Sequence, residues 1–246
     1  ADGVRHASRT AKLAGARPPQ LNHALGGPMR NITLICTVHR ENGVGNASEL
    51  LRILRTIEPQ VIFTEIRLSD QWSVEFQAID KYREFNRQCQ PVPVDKFDMP
   101  VHRLVEIKND YDRARDYAAQ ASHEYQLLDE ENNNRVNQHG FKHLNDLACA
   151  TILARMCESE EKAITESGVQ NLIRGLESWQ GANQRREVEM VGNIYKYCTE
   201  NVFDIGVLLV GAAHKTGVSN EVNKYFGAEA RLISWNFTYD GQTRAT

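Results

Sequence analysis

The chain has 246 residues, 41% hydrophobic and 25% charged, a balance that suits one sizeable α/β domain or two small ones. A formal net charge of −3 offers no basic face for nucleic acid or an anionic membrane, and no apolar run approaches the ~20 residues that span a bilayer. Five scattered cysteines (Cys36, Cys89, Cys149, Cys157, Cys198) without a CxxC pair argue against a disulfide framework or a zinc site, and fit a reducing, cytoplasmic setting.

Residues 1–28 are rich in Arg, Ala, Gly and Pro and lack hydrophobic periodicity. They are expected to be a flexible or artificially appended arm ahead of a single domain over 29–246. Asn31 to His39 is a nearly continuous apolar run, the pattern of a strand buried on both faces. A Gly/Asn loop follows, and Asn46 with Glu49 predicts a capping box for a helix through about Thr56, with Leu50, Leu51, Leu54 and Ile57 on one face. Gln60 to Glu65 reads as a second strand, so the unit is expected to be a parallel β-α-β pair with a right-handed crossover.

A helix is expected over Asp70 to Arg87 and a short third strand over Pro91 to Asp95. Ile107, Tyr111, Ala114, Ala118, Ala121 and Tyr125 recur at helical spacing, whereas the polar, Asn-rich stretch Asp129 to Gly140 reads as a loop. Helices are expected over Phe141 to Met156, Val169 to Trp179 and Asn183 to Glu200. Ile205 to Val210 is the most hydrophobic strand, Gly211 to His214 turns out of it into a short helix capped near Gly227, and Arg231 to Trp235 closes the chain as a strand. The expected fold class is α/β: a mostly parallel sheet from β-α-β units at both ends, with a helical middle over about 103–200.

His39 and His214 each follow directly on a buried strand, and ligands of open parallel sheets bind outside the carboxyl ends of the strands. Glu65 ends the second strand on the same edge, and Glu41 lies two residues past His39. A carboxylate beside two imidazoles can hold a divalent metal through His39, Glu65 and His214, or orient one histidine as a general base.

Other features read more plainly. His139 and His143 are expected on the surface at a helix start, Glu158 to Glu161 as a solvated helix face, and Trp72, Trp179 and Trp235 as core or pocket lining. No HExxH, GxSxG or Walker loop occurs. The sequons at Asn31, Asn46 and Asn236 read as chance. Gly43 and Gly45 with Glu65 about 20 residues on allow a dinucleotide-binding reading, but the turn is long and Ser48 stands at the third glycine.

Arg186-Glu-Val-Glu-Met190 on a helix, then Val207 to His214 and a closing strand, resembles the end of the TIKI/TraB superfamily, which takes in erythromycin-esterase-like and ChaN haem-binding-like proteins. That superfamily is marked by two strand-end GxxH motifs, a glutamate after the second strand and an arginine on the helix before the last GxxH. Here Gly211-Ala-Ala-His214 is intact, Cys36-Thr-Val-His39 has cysteine for glycine, and Glu65 and Arg186 match the acid and the arginine. An acidic turn after the third strand would map onto Asp95 or Asp98.

The resemblance implies a hydrolase acting on an ester, lactone or peptide bond of a small-molecule or peptide substrate. Water would be deprotonated by a neutral histidine or by Glu65, with His214 and Arg186 stabilising the oxyanion and Glu41 as accessory. A divalent metal would serve instead in the peptidase branch. A non-catalytic member would bind haem or another small ligand through the same histidines.

Overall fold

The computed structural model describes residues 29–65, 71–95, 99–225 and 230–239. The expected N-terminal arm, Asp98 and the cap at Gly227 lie outside the described residues. Five strands form one all-parallel sheet in the order β3-β2-β4-β1-β5. They are β1 (Arg30–Thr37), β2 (Val61–Thr64), β3 (Gln90–Pro93), β4 (Ile205–Gly211) and β5 (Ile233–Asn236). The α/β class is as the sequence predicts, with strands at both ends of the chain and helices between.

The expected pairing of the first two strands is corrected. β4 lies between them, its Gly206 to Leu209 in register with Val61 to Thr64 on one side and its full length with Asn31 to Thr37 on the other. The apolar content explains the swap: Val207 to Val210 are essentially unexposed, so this strand takes the centre, where both faces and both edges are covered. Pro91 and Pro93 cannot donate to a ladder on both sides, and β3 accordingly lies at an edge.

The strand that leads into the site has a local solution of its own. β5 accompanies β1 only from Arg30 to Thr33, which leaves the later half of that edge without a strand. The Asn145 amide replaces it, accepting from the Cys36 N–H at 2.8 Å and donating to the Cys36 carbonyl at 3.1 Å. Cys36 itself is fully buried in the core.

Helices α1 (Ala47–Ile57) and α2 (Val74–Phe85) pack on each other and put Leu50, Ile53, Leu54, Ala78 and Ile79 into the core shared with the sheet. Asn46 caps α1 through Ser48 and Glu49, but the capping box is not reciprocal. The Glu49 carboxylate instead accepts from the Phe141 N–H at 3.0 Å. Gly140 makes this possible, because it sits at φ +54° and any Cβ there would collide with that carboxylate.

The middle is four long helices: α3 (Val101–Ala121), α4 (His123–Asn145), α5 (Leu147–Glu166) and α6 (Gln170–Glu200). The loop expected over Asp129 to Gly140 is helical up to the Gly140 break. Its Asn-rich composition is a weak helix former, but Tyr125, Leu128 and Val136 are buried, and Asn132 accepts from the ring of His143 at 3.2 Å. His143 is therefore buried rather than on the surface, while His139 is exposed as expected. The two helices expected before β4 are one, α6, 31 residues and roughly 46 Å long. Its first half joins Ala114, Ala118 and Ile164 in a satellite core, and its second half lays Met190, Val191 and Ile194 on the sheet.

The acidic run is not wholly solvated either. Glu160 is 6% exposed, with Oε1 unpartnered among the described residues. Burial raises its pKa, opposed by a hydrogen bond from Tyr111 and by Arg115. A carboxyl raised in the folded state favours folding at low pH, and that contribution is lost as pH rises above the ordinary range. Glu160→Gln keeps an acceptor for Tyr111 without the ionisation. It is expected to melt higher than wild type at pH 8, with the difference closing toward pH 4.

Candidate functional site at the carboxyl ends of three adjacent strands

The strand order decides what meets. β4, which leads into His214, lies between β2, which ends at Glu65, and β1, which leads to His39. Gly211 is the meeting point. Its N–H donates to Glu65 Oε2 at 2.7 Å, and a Cβ placed on it would lie 3.7 Å from His39 Nε2. A 3₁₀ turn, Ala212–His214, carries the chain into α7 (Lys215–Val222) and places the imidazole of His214 behind the strand ends, 5% exposed.

His214 is held on both nitrogens. Nδ1 lies 2.8 Å from Glu187 Oε1, and Nε2 lies 3.4 Å from Glu65 Oε1. Burial works against its charge, but the hydrogen bonds to Glu187 and Glu65 outweigh it and raise the pKa to about 9. His214 is thus an imidazolium at neutral pH, donating from both nitrogens. Its 3.4 Å approach to Arg186 Nη1 is then a contact of like charges rather than a hydrogen bond. The stability linked to this proton is fully present below about pH 6.5 and is lost as pH rises through about 9. Gly217 in α7 leaves the room for Glu187, since a Cβ there would collide with its carboxylate.

Arg186, 9% exposed, ties α6 to the carboxyl ends of β2 and β3. Nη2 donates to Glu65 Oε1 at 2.7 Å and to Asp95 Oδ2 at 2.8 Å, Nε donates to Asp95 Oδ2 at 3.0 Å, and Nη1 donates to Asn183 Oδ1 at 3.2 Å. Burial pushes Glu65 up. The hydrogen bond and charge of His214, the charge of Arg186 and the Gly211 N–H outweigh it and hold the carboxyl well below its usual range. A carboxylate so stabilised is a poor proton acceptor, so Glu65 is a fixed anion and not a base.

His39 differs from His214 in being accessible, its side chain 42% exposed. Nδ1 lies 3.0 Å from Glu75 Oε1, which also accepts from the Thr37 hydroxyl at 2.7 Å. Glu75 is 2% exposed in the first turn of α2, and its Oε2 has no hydrogen-bond partner among the described residues. The Glu75 hydrogen bond raises the His39 pKa, burial opposing it. Nδ1 donates to that anion, which leaves Nε2 to exchange a proton at the strand ends.

Of the expected residues, His39, Glu65, Arg186 and His214 converge, together with Asp95 from the acidic turn. Glu41 is exposed in the loop beyond His39 and has no hydrogen bond or ion pair among the described residues. Glu75 and Glu187 were missed by sequence reasoning. The signal for Glu187 was available: with Arg186 it interrupts the buried stripe of Ala182, Met190, Val191 and Ile194 on α6. Glu75 gave none beyond its place just after the Ser73 cap.

The expected metal set, His39, Glu65 and His214, is engaged in other contacts as placed. Among the described residues no group of three or more His, Cys, Asp and Glu side chains is arranged to hold a metal ion. Arg186 already contacts Glu65 and His214, and both nitrogens of His214 face carboxylates, so His39, Glu65 and His214 as placed do not fit a divalent cation.

Burial pushes the Cys36 thiol up to about 12, which keeps it a thiol and no nucleophile. The glycine loop after β1 packs on α4, with the Val44 N–H donating to the Asn137 carbonyl at 3.0 Å. Gly43 takes φ +58° with no room for a Cβ against that carbonyl. Among the described residues no helix is long and apolar enough to cross a membrane.

The fold and the site together define an all-parallel α/β protein with a buried ion network behind one accessible histidine. No family model, curated protein or solved structure matches the chain.

Proposed function

We propose that the protein is a hydrolase of an ester, lactone or peptide bond, working without a metal, of the kind found in the TIKI/TraB and erythromycin-esterase-like proteins its motifs resemble. One observation supports this most: His39, oriented by the buried Glu75, directs its Nε2 to the strand ends beside a network holding the cations His214 and Arg186. His39 Nε2 takes a proton from water, and the resulting hydroxide adds to the substrate carbonyl carbon. The carbonyl oxygen becomes an alkoxide in the positive field of His214 and Arg186. Its collapse breaks the bond to the leaving group, which takes the proton back from His39.

The base must be neutral, and its pKa is raised, so activity rises as pH increases through that raised value. Glu75→Gln removes the anion that raises it. The acid limb of the rate profile is therefore expected to move to lower pH, with turnover reduced about tenfold to a hundredfold. The test is a panel of ester, lactone and peptide substrates, with wild type, Glu75→Gln and added chelator. Chelator-insensitive hydrolysis with the acid limb displaced in the variant is the expected result. An inactive wild type across the panel overturns the reading, and chelator-sensitive activity overturns its metal-free form.

A further inference from the structure

Resting on the hydrolase reading, the geometry points to a substrate class: we propose that Arg40 and Trp72 form a clamp at the mouth of the site for small organic anions with a flat apolar portion. Both residues are exposed, Trp72 by 59%, although an indole of that size was expected in a core or pocket. The Arg40 guanidinium carbon lies 5.8 Å from the centre of the Trp72 ring. Arg40 has no carboxylate partner among the described residues, so its charge is not committed elsewhere in the fold. A guanidinium held over a ring by a cation–π contact keeps N–H groups free to fork a carboxylate, while the ring beside it offers an apolar surface.

The clamp is built into the same elements that orient the base. The Val74 N–H donates to the His39 carbonyl at 3.2 Å, which ties the start of α2 to the loop carrying His39 and Arg40. Ser73, fully buried, caps the helix through the Phe76 N–H at 3.1 Å, and Gln77 donates to the Trp72 carbonyl at 3.3 Å. Trp72, exposed just before the Ser73 cap, and Glu75, turned inward to Nδ1 of His39, therefore flank one helix start. Glu41, next along the loop, is exposed, and its charge would disfavour an anion that Arg40 did not hold. The clamp thus selects by position as well as by sign.

The test uses equilibrium binding, so that it does not depend on turnover. Sodium benzoate and neutral benzyl alcohol are titrated into ¹⁵N-labelled protein while the Trp72 indole N–H, assigned with Trp72→Phe, is followed by NMR. Benzoate is expected to move that resonance saturably, with benzyl alcohol about threefold to fivefold weaker. Arg40→Gln is expected to remove the difference, as is raised salt. Equal shifts from both probes, or a Trp72 resonance unmoved by benzoate, overturns the proposal. Benzoate selectivity in a protein that hydrolyses nothing leaves the clamp standing while the hydrolase reading falls. Hydrolysis of neutral esters with no benzoate response does the reverse.

Discussion

Arg186→Met is expected to destabilise the protein by about 3–5 kcal/mol, read as a lower urea midpoint with an unchanged slope. The side chain is buried and supplies charged donors to both Glu65 and Asp95. Asp95 loses the donors at Oδ2, and its buried Oδ1 has none among the described residues, so a half-buried carboxylate is left without a partner. Glu65 keeps the Gly211 N–H and His214, which limits the damage on its side of the network. A buried charge left unpaired is costly, whereas replacing the whole pair with apolar groups of similar volume is often nearly neutral. Arg186→Met combined with Asp95→Leu should therefore recover part of what the single change loses. A single variant within about 1 kcal/mol of wild type would show that the network is not what joins α6 to the strand ends.

His39→Ala carries the largest expected effect on activity, a fall in turnover of about 10²–10⁴-fold on whichever substrate the panel identifies. The fold should hardly notice. The ring is 42% exposed, and Thr37 still donates to Glu75 when it is gone, so the melting temperature is expected to stay within a few degrees. His214→Ala should behave in the opposite way, losing stability along with activity, because Glu187 and Glu65 both lose a buried donor. Comparing the two variants separates a base that acts on substrate from a cation that holds the site together. Equal stability losses in both would contradict that division.

The sequence made the site's positions legible but not its wiring. His39, Glu65 and His214 could be placed because strands buried on both faces read as unbroken apolar runs, and their ends are where such runs stop. Arg186 came from motif order. Nothing local says that β4 slips between β1 and β2, since strand order is a property of the whole sheet, and that order is what brings His39 and Glu65 to Gly211. Glu75 and Glu187 sit on helices, where a buried acid has the same letter as a solvated one. Only the partner that satisfies it tells them apart, as Glu160 shows within a run of four acidic or hydroxyl residues. The helical middle was misread where tertiary contacts override propensity, in the Asn-rich turns of α4 and at the join within α6.

Cys36 and Gly211, three residues before His39 and His214, meet different surroundings. Cys36 points into the core, and its backbone groups are taken by Asn145, so that position has no need of a bare backbone. Gly211, three residues before His214, has the carboxylate of Glu65 and the ring of His39 at 3.4 and 3.7 Å from where a Cβ would stand, which is ordinary contact distance. Neither strand end therefore demands glycine: one accepts a side chain into the core, and the other has room for a small one beside the site.

A buried imidazolium, His214, stands behind an accessible histidine whose pKa is raised chiefly by its hydrogen bond to Glu75. The most direct measurement is an NMR titration of both imidazoles in the folded protein, for wild type and Glu75→Gln. The account predicts His214 titrating near pH 9 in both proteins, and His39 titrating above its ordinary value in wild type but lower in the variant. A His214 that is already neutral at pH 7, or a His39 that is unmoved by Glu75→Gln, would contradict it.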